Sequence, residues 1–135
     1  MGKQVTLDTA LKVVNASHKR ADAIGVPMNI AVVDGGGNLV AFARMDGSFL
    51  GSIDIAQNKA FTARAFNMTT QDLAALSQPG QPLFGIHESN QGRVVIFGGG
   101  IPLRDGDGSV VGAVGVSGGS VEEDQDVAEA GVAAF

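Results

Sequence analysis

Residues 28–44 read MNIAVVDGGGNLVAFAR. Two apolar runs, Met28–Asp34 and Leu39–Arg44, flank Gly35-Gly36-Gly37-Asn38. Short runs rich in Val, Ile and Phe, bounded by Gly and Asn, are strands, and so short a connection between them closes a hairpin. The first run has almost no polar interruption and reads as a buried strand. Antiparallel pairing is therefore the starting condition for the rest of the sheet.

Toward the N-terminus, residues 6–24 carry Leu7, Leu11, Val14 and Ala21 at three- and four-residue spacing, with Thr6 as N-cap, Gly25 as terminator and Pro27 just beyond. That spacing predicts an amphipathic helix of about five turns. Downstream, Ser52–Asn67 places Ile55, Ala56, Lys59, Ala60, Ala63 and Phe66 along one side of a second helix, whose small residues permit a close approach to its neighbour. Thr69 with Asp72 opens a short helix over Thr70–Ser77, which Pro79-Gly80-Gln81-Pro82 ends, and a loop is expected from there to Gly92. Arg93–Phe97 (RVVIF), Ile101–Leu103 and Val110–Val116 (VVGAVGV) read as three more strands, the last two joined through Asp105-Gly106-Asp107-Gly108. Ser120 with Glu123 is a capping box, and Glu122, Glu123, Asp124 and Asp126 load the start of a closing helix with the charge its dipole favours. The expected order is α-β-β-α-α-β-β-β-α: an α+β fold with an antiparallel five-stranded sheet flanked by helices, in one domain over residues 1–135.

Composition bounds the function. Of 135 residues, 44% are hydrophobic and 17% charged, which is enough to build a core. Seven Phe are the only aromatics, and 20 Gly leave few large side chains to cover that core, so added burial through homo-oligomerisation is expected. Nine basic against 14 acidic residues give a net charge of −5 with no basic block, which argues against a nucleic-acid surface. No Cys is present, so disulfides, thiolate ligands and thiolate nucleophiles are excluded. The start of the chain has neither a signal-type apolar core nor a small-residue cleavage site, and no run could span a bilayer, so a cytoplasmic protein is expected. Met1-Gly2 with Thr6 matches the short myristoylation pattern, a match common by chance.

The residues that could carry chemistry are few. Asp105-Gly106-Asp107-Gly108-Ser109 resembles the start of a calcium loop, but its twelfth position is Val116 where a bidentate Glu is needed, so a hairpin turn is the better account. Gly112–Gly119 before a helix matches neither the Walker nor the Rossmann spacing, and four carboxylates follow it. No serine lies in Gly-x-Ser-x-Gly, and two distant histidines without Cys make a poor closed metal cluster. His18 continues the stripe of the first helix and projects from or beside its buried face, either as a helix histidine satisfied by a neighbour or as a ligand or base. His87 falls in the loop as a solvated residue. Lys59, among Ala and Phe, either snorkels or is drawn inward as an anion anchor. Arg44, at a strand end before Met45-Asp46, is placed to meet a carboxylate.

The ordered string of motifs adds a resemblance. Val32–Phe42 followed by Arg44-Met45-Asp46-Gly47, then Asp54-Ile55-Ala56 with Lys59-Ala60 and Thr62-Ala63, then Phe97–Leu103, Val111–Gly119 and Glu123-Asp124, resembles the GlcG/HbpS-like family, also called DUF336 or PduO C-terminal-like. The similarity runs in order from the first helix to Gly131. It implies a profilin-like sheet flanked by helices, assembly into dimers or larger rings, and haem as a cofactor. It also implies His18 as the axial metal ligand and Arg44 and Lys59 as partners of the propionates. Two other functions stay open. One is an enzyme or accessory protein acting on a small carboxylate, held by Arg44 or Lys59 with His18 or Asp34 moving protons. The other is a structural partner without a small ligand.

Overall fold

The computed structural model describes residues 3–135, so the Met1-Gly2 acylation pattern lies outside the described residues. Helix α1 spans Leu7–Ile24, strands β1 and β2 span Asn29–Asp34 and Leu39–Arg44, and helices α2 and α3 span Gly51–Phe66 and Thr70–Ser77. Strands β3 (Gly100–Arg104) and β4 (Val110–Ser117) and helix α4 (Val121–Ala133) complete the chain. Each cap follows from side-chain chemistry. The Thr6 hydroxyl accepts from Thr9 N at the start of α1, Gly25 ends it in the left-handed region, and Ser120 and Glu123 form a reciprocal box at α4.

The sheet is antiparallel with strand order β2-β1-β4-β3. It has four strands rather than the five expected, because Arg93–Phe97 is not one of them. Its backbone is engaged by α2 instead: Val95 N–H donates to Thr62 Oγ1 at 3.0 Å, and the Thr62 hydroxyl reaches Arg93 O at 3.3 Å. Gly98-Gly99 then swings the chain so that Gly100–Arg104 takes the place beside β4.

Alternation along β1 sorts the two faces. Ile30 and Val32 join Ala10, Val13, Val14 and Ala21 of α1 and Val127 and Ala128 of α4 in one core. Ala31 and Val33 meet Ala56, Ala60 and Ala63 of α2 in the other. The α2 core is built almost wholly of alanine because the helix backbone lies directly on β4: a Cβ at Gly115 would stand 2.0 Å from Ala56 O. No helix among the described residues is long and apolar enough to cross a membrane.

Candidate functional site

Helix α1 commits Ser17, not His18, to the interior: Ser17 is fully buried and its hydroxyl donates to Val127 O of α4 at 2.8 Å. One residue further round, the His18 side chain sits on the flank of the helix, 50% exposed. Its Nε2 lies 3.4 Å from Asp22 Oδ2, one turn along. Opposite stands the end of the edge strand β2. His18, Asp22, Ala43, Arg44, Met45 and Asp46 together line an open groove of about 360 Å³. A second depression of about 220 Å³ adjoins it through Asp22, Met45 and Asp46 and continues to Gly25 and Pro27.

The wall formed by residues 43–46 is held by several short contacts. Met45 N–H donates to Met28 O at 3.0 Å, and Met28 N–H donates to Met45 Sδ at 3.3 Å. Ser48 Oγ donates to Met45 O at 2.8 Å, and Arg44 Nη2 donates to Ser48 O at 3.3 Å. Beneath this turn the fully buried Asn29 donates to Phe49 O at 3.2 Å, while its Oδ1 has no partner. The groove thus offers one half-exposed imidazole, one guanidinium, an apolar strip at Ala43 and Met45, and two carboxylates.

The structure brings His18 and Arg44 to one groove and sets Lys59 apart from it. Lys59 is fully buried on α2, where Nζ donates to Asp124 Oδ2 and to Val116 O, each at 2.8 Å. The Phe97 ring covers it, with the centroid 4.9 Å from Nζ. Burial lowers the Lys59 pKa and raises that of Asp124, and the attraction and hydrogen bond within the pair oppose both shifts. Asp124 also accepts from Gly119 N at 2.9 Å, so the pair ties α2, β4 and α4 together. Asp34 is used elsewhere too: its Oδ1 accepts from Gly36 N and Asn38 N, each at 2.9 Å, in the β1–β2 turn. His87 stacks edge-on to Phe84 with centroids 6.0 Å apart, away from the groove residues.

Asp22 lies in no motif singled out in the sequence, and Asp124 belongs to one whose structural role the sequence does not show. The four-residue step from His18 to Asp22 is a usable signal, since it places both on one helix face. Nothing local foretells that Asp124, inside an acidic first turn, meets a lysine 65 positions away. Among the described residues no three His, Asp or Glu side chains are grouped to hold a bare metal ion.

Comparison with known proteins covers nearly the whole chain. The family described as haem degrading protein HbpS-like matches residues 5–133. A 15.0 kDa Citrobacter freundii protein in the dhaT-dhaS intergenic region is 45% identical over 131 residues, 97% of this chain and 92% of its own. The crystal structure of the Klebsiella pneumoniae DUF336 protein ORFY superposes with a TM-score of 0.95 at 42% identity, covering 98% of this chain and 91% of that one. The crystal structure of a PduOC:haem complex superposes with a TM-score of 0.93 at 37% identity, covering 98% and 96%.

Proposed function

Because this chain belongs to the HbpS-like family, we propose that it is a haem-binding domain in which His18 supplies an axial nitrogen and Arg44 anchors a propionate. The observation that carries this is the placing of the half-exposed His18 imidazole and Arg44 on one groove with an apolar strip between carboxylates. His18 and Arg44 would hold the haem, which would supply a redox-active iron. The residues here do the rest. Asp22, with Oδ2 3.4 Å from His18 Nε2 one turn along the helix, gives the imidazole an acidic neighbour on the same face of α1. Ala43 and Met45 give the macrocycle a dry surface. Asp22 and Asp46 repel carboxylates, so the propionates turn to Arg44, whose fork Ser48 O already steadies.

Lys59 belongs to the frame in this proposal, since its ammonium is fully buried against Asp124. The same pair of residues supports the rival small-carboxylate function, with Arg44 as anchor and His18 as proton carrier; Asp34, spent in its turn, has no part in it. We further propose a cytoplasmic single-domain homo-oligomer: adjacent Phe49 and Leu50, 71% and 73% exposed, offer apolar area that a second copy would cover.

Haemin and glycolate separate the two ligands. Haem binding predicts a saturable Soret band, weakened in Arg44→Ala, together with a raised Tm on haemin and none on glycolate. Stabilisation by glycolate with no Soret band would replace haem by a small acid.

A further inference from the structure

A second groove lies away from His18 and shares none of the residues that line the His18 groove. It measures about 480 Å³ and lies between the start of α3, the outer edge of β3 and the end of α4. Met68, Ile101, Pro102, Val132 and Phe135 make its apolar wall, with Asn67 and Thr69 beside them. Two opposite charges share the lining, Arg104 on β3 and Asp72 on α3, both exposed, and at the far end the Lys3 ammonium lies over the Phe135 ring at 4.2 Å. Among the described residues Arg104 and Asp72 are not paired with each other or with any other charged side chain. Arg104 is held in place by backbone oxygens, Nη1 donating to Gly108 O at 3.0 Å and Nη2 to Asn67 O at 3.2 Å, which leaves further guanidinium donors free.

The edge itself turns a peptide strand away. Pro102 has no N–H to offer, and Gly100 N–H already donates to Thr70 Oγ1 at 2.9 Å. What suits the groove is a small molecule carrying its own two charges and an apolar body.

We infer that this groove is a binding site for a zwitterionic α-amino acid with an apolar side chain, its carboxylate on Arg104, its ammonium on Asp72 and its side chain against Ile101, Val132 and Phe135. Asp72 selects against simple carboxylic acids by repulsion, and Arg104 selects against simple amines in the same way. The site is independent of haem binding at His18.

Calorimetric titration of the full chain with L-phenylalanine, 3-phenylpropionate and phenethylamine tests it. L-Phenylalanine is expected to bind one per chain, and each singly charged analogue at least about tenfold more weakly. Arg104→Gln should cost about tenfold for phenylalanine, and Asp72→Asn should bring phenylpropionate level with it. Val132→Trp, which fills the wall and leaves both charges in place, should abolish binding while His18→Ala leaves it unchanged. No saturable phenylalanine binding, equal binding of a singly charged analogue to the unaltered chain, or binding indifferent to all three groove variants would overturn the assignment.

Discussion

Gly115 lets α2 rest its backbone on the sheet. A Cβ at that position would come within 2.0 Å of Ala56 O and 2.5 Å of Ala60 N, both backbone atoms of a buried helix that cannot yield cheaply. Gly115→Ala is therefore expected to cost at least about 2 kcal/mol, read from the midpoint of urea unfolding. An unchanged midpoint would mean that α2 stands further from β4 than described. Lys59 is a second residue whose role turns on a contact no sequence pattern shows. Removing one member of a buried ion pair leaves the other charged and unpaired, so Lys59→Met should destabilise by about 3–5 kcal/mol, and the double variant Lys59→Met/Asp124→Leu by clearly less. The pH dependence follows from Asp124. Its pKa already lies above the ordinary 3.8, and loss of Lys59 pushes it higher, so the folded variant holds its proton more tightly than the unfolded chain does. Stability gained from the neutral carboxyl is fully present below the ordinary value and lost as pH rises through the raised one. The deficit of Lys59→Met should thus be small in acid and largest at neutral pH, and a pH-independent deficit would contradict it.

At the scale of elements, the two hairpins repeat one device. Asp34-Gly35-Gly36-Gly37-Asn38 and Asp105-Gly106-Asp107-Gly108-Ser109 each place an Asp whose Oδ1 accepts from the N–H two and four residues on. A left-handed glycine follows in each, Gly37 at φ 78° and Gly108 at φ 82°. Asp105→Ala is expected to cost about 1–2 kcal/mol by leaving those two N–H groups without their acceptor, measurable by thermal unfolding. Such turns are legible because their chemistry is local, and so are the helices capped by Thr6, Thr69 and Ser120. Arg93–Phe97 is the instructive exception. Its Val and Ile content suits a strand, but Thr62 of α2 takes its backbone bonds, and that choice is made by tertiary packing. The candidate site divides along the same line. Arg44 is readable from the end of its hairpin, but the stripe expected for α1 is displaced: Leu7 and Leu11 are exposed, Ala10, Val13 and Ser17 take the buried face beside Val14 and Ala21, and His18 lies on the flank. That His18 and Arg44 share a groove with Asp22 and Asp46 depends on how α1 crosses the sheet.

The whole molecule presents a two-sided sheet with a groove at each edge and an apolar tip at Phe49 and Leu50. If a second copy covers that tip, light scattering should give more than one chain per particle, and Phe49→Asp/Leu50→Asp should reduce the mass to a single chain. A single-chain mass for the unaltered protein would sink the proposal. The proposed haem site belongs to this scale as well, because its groove is lined by residues of both α1 and β2. The most direct measurement is haemin titration of the protein and of His18→Ala, with apomyoglobin as competitor. The proposal predicts a saturable Soret band for the parent, stoichiometric with one chain or a pair. In the variant the band should be lost, or its haem surrendered at once to apomyoglobin. Equal, competition-resistant binding by His18→Ala would remove His18 as the axial ligand, and no saturable binding by the parent would contradict a haem-binding function.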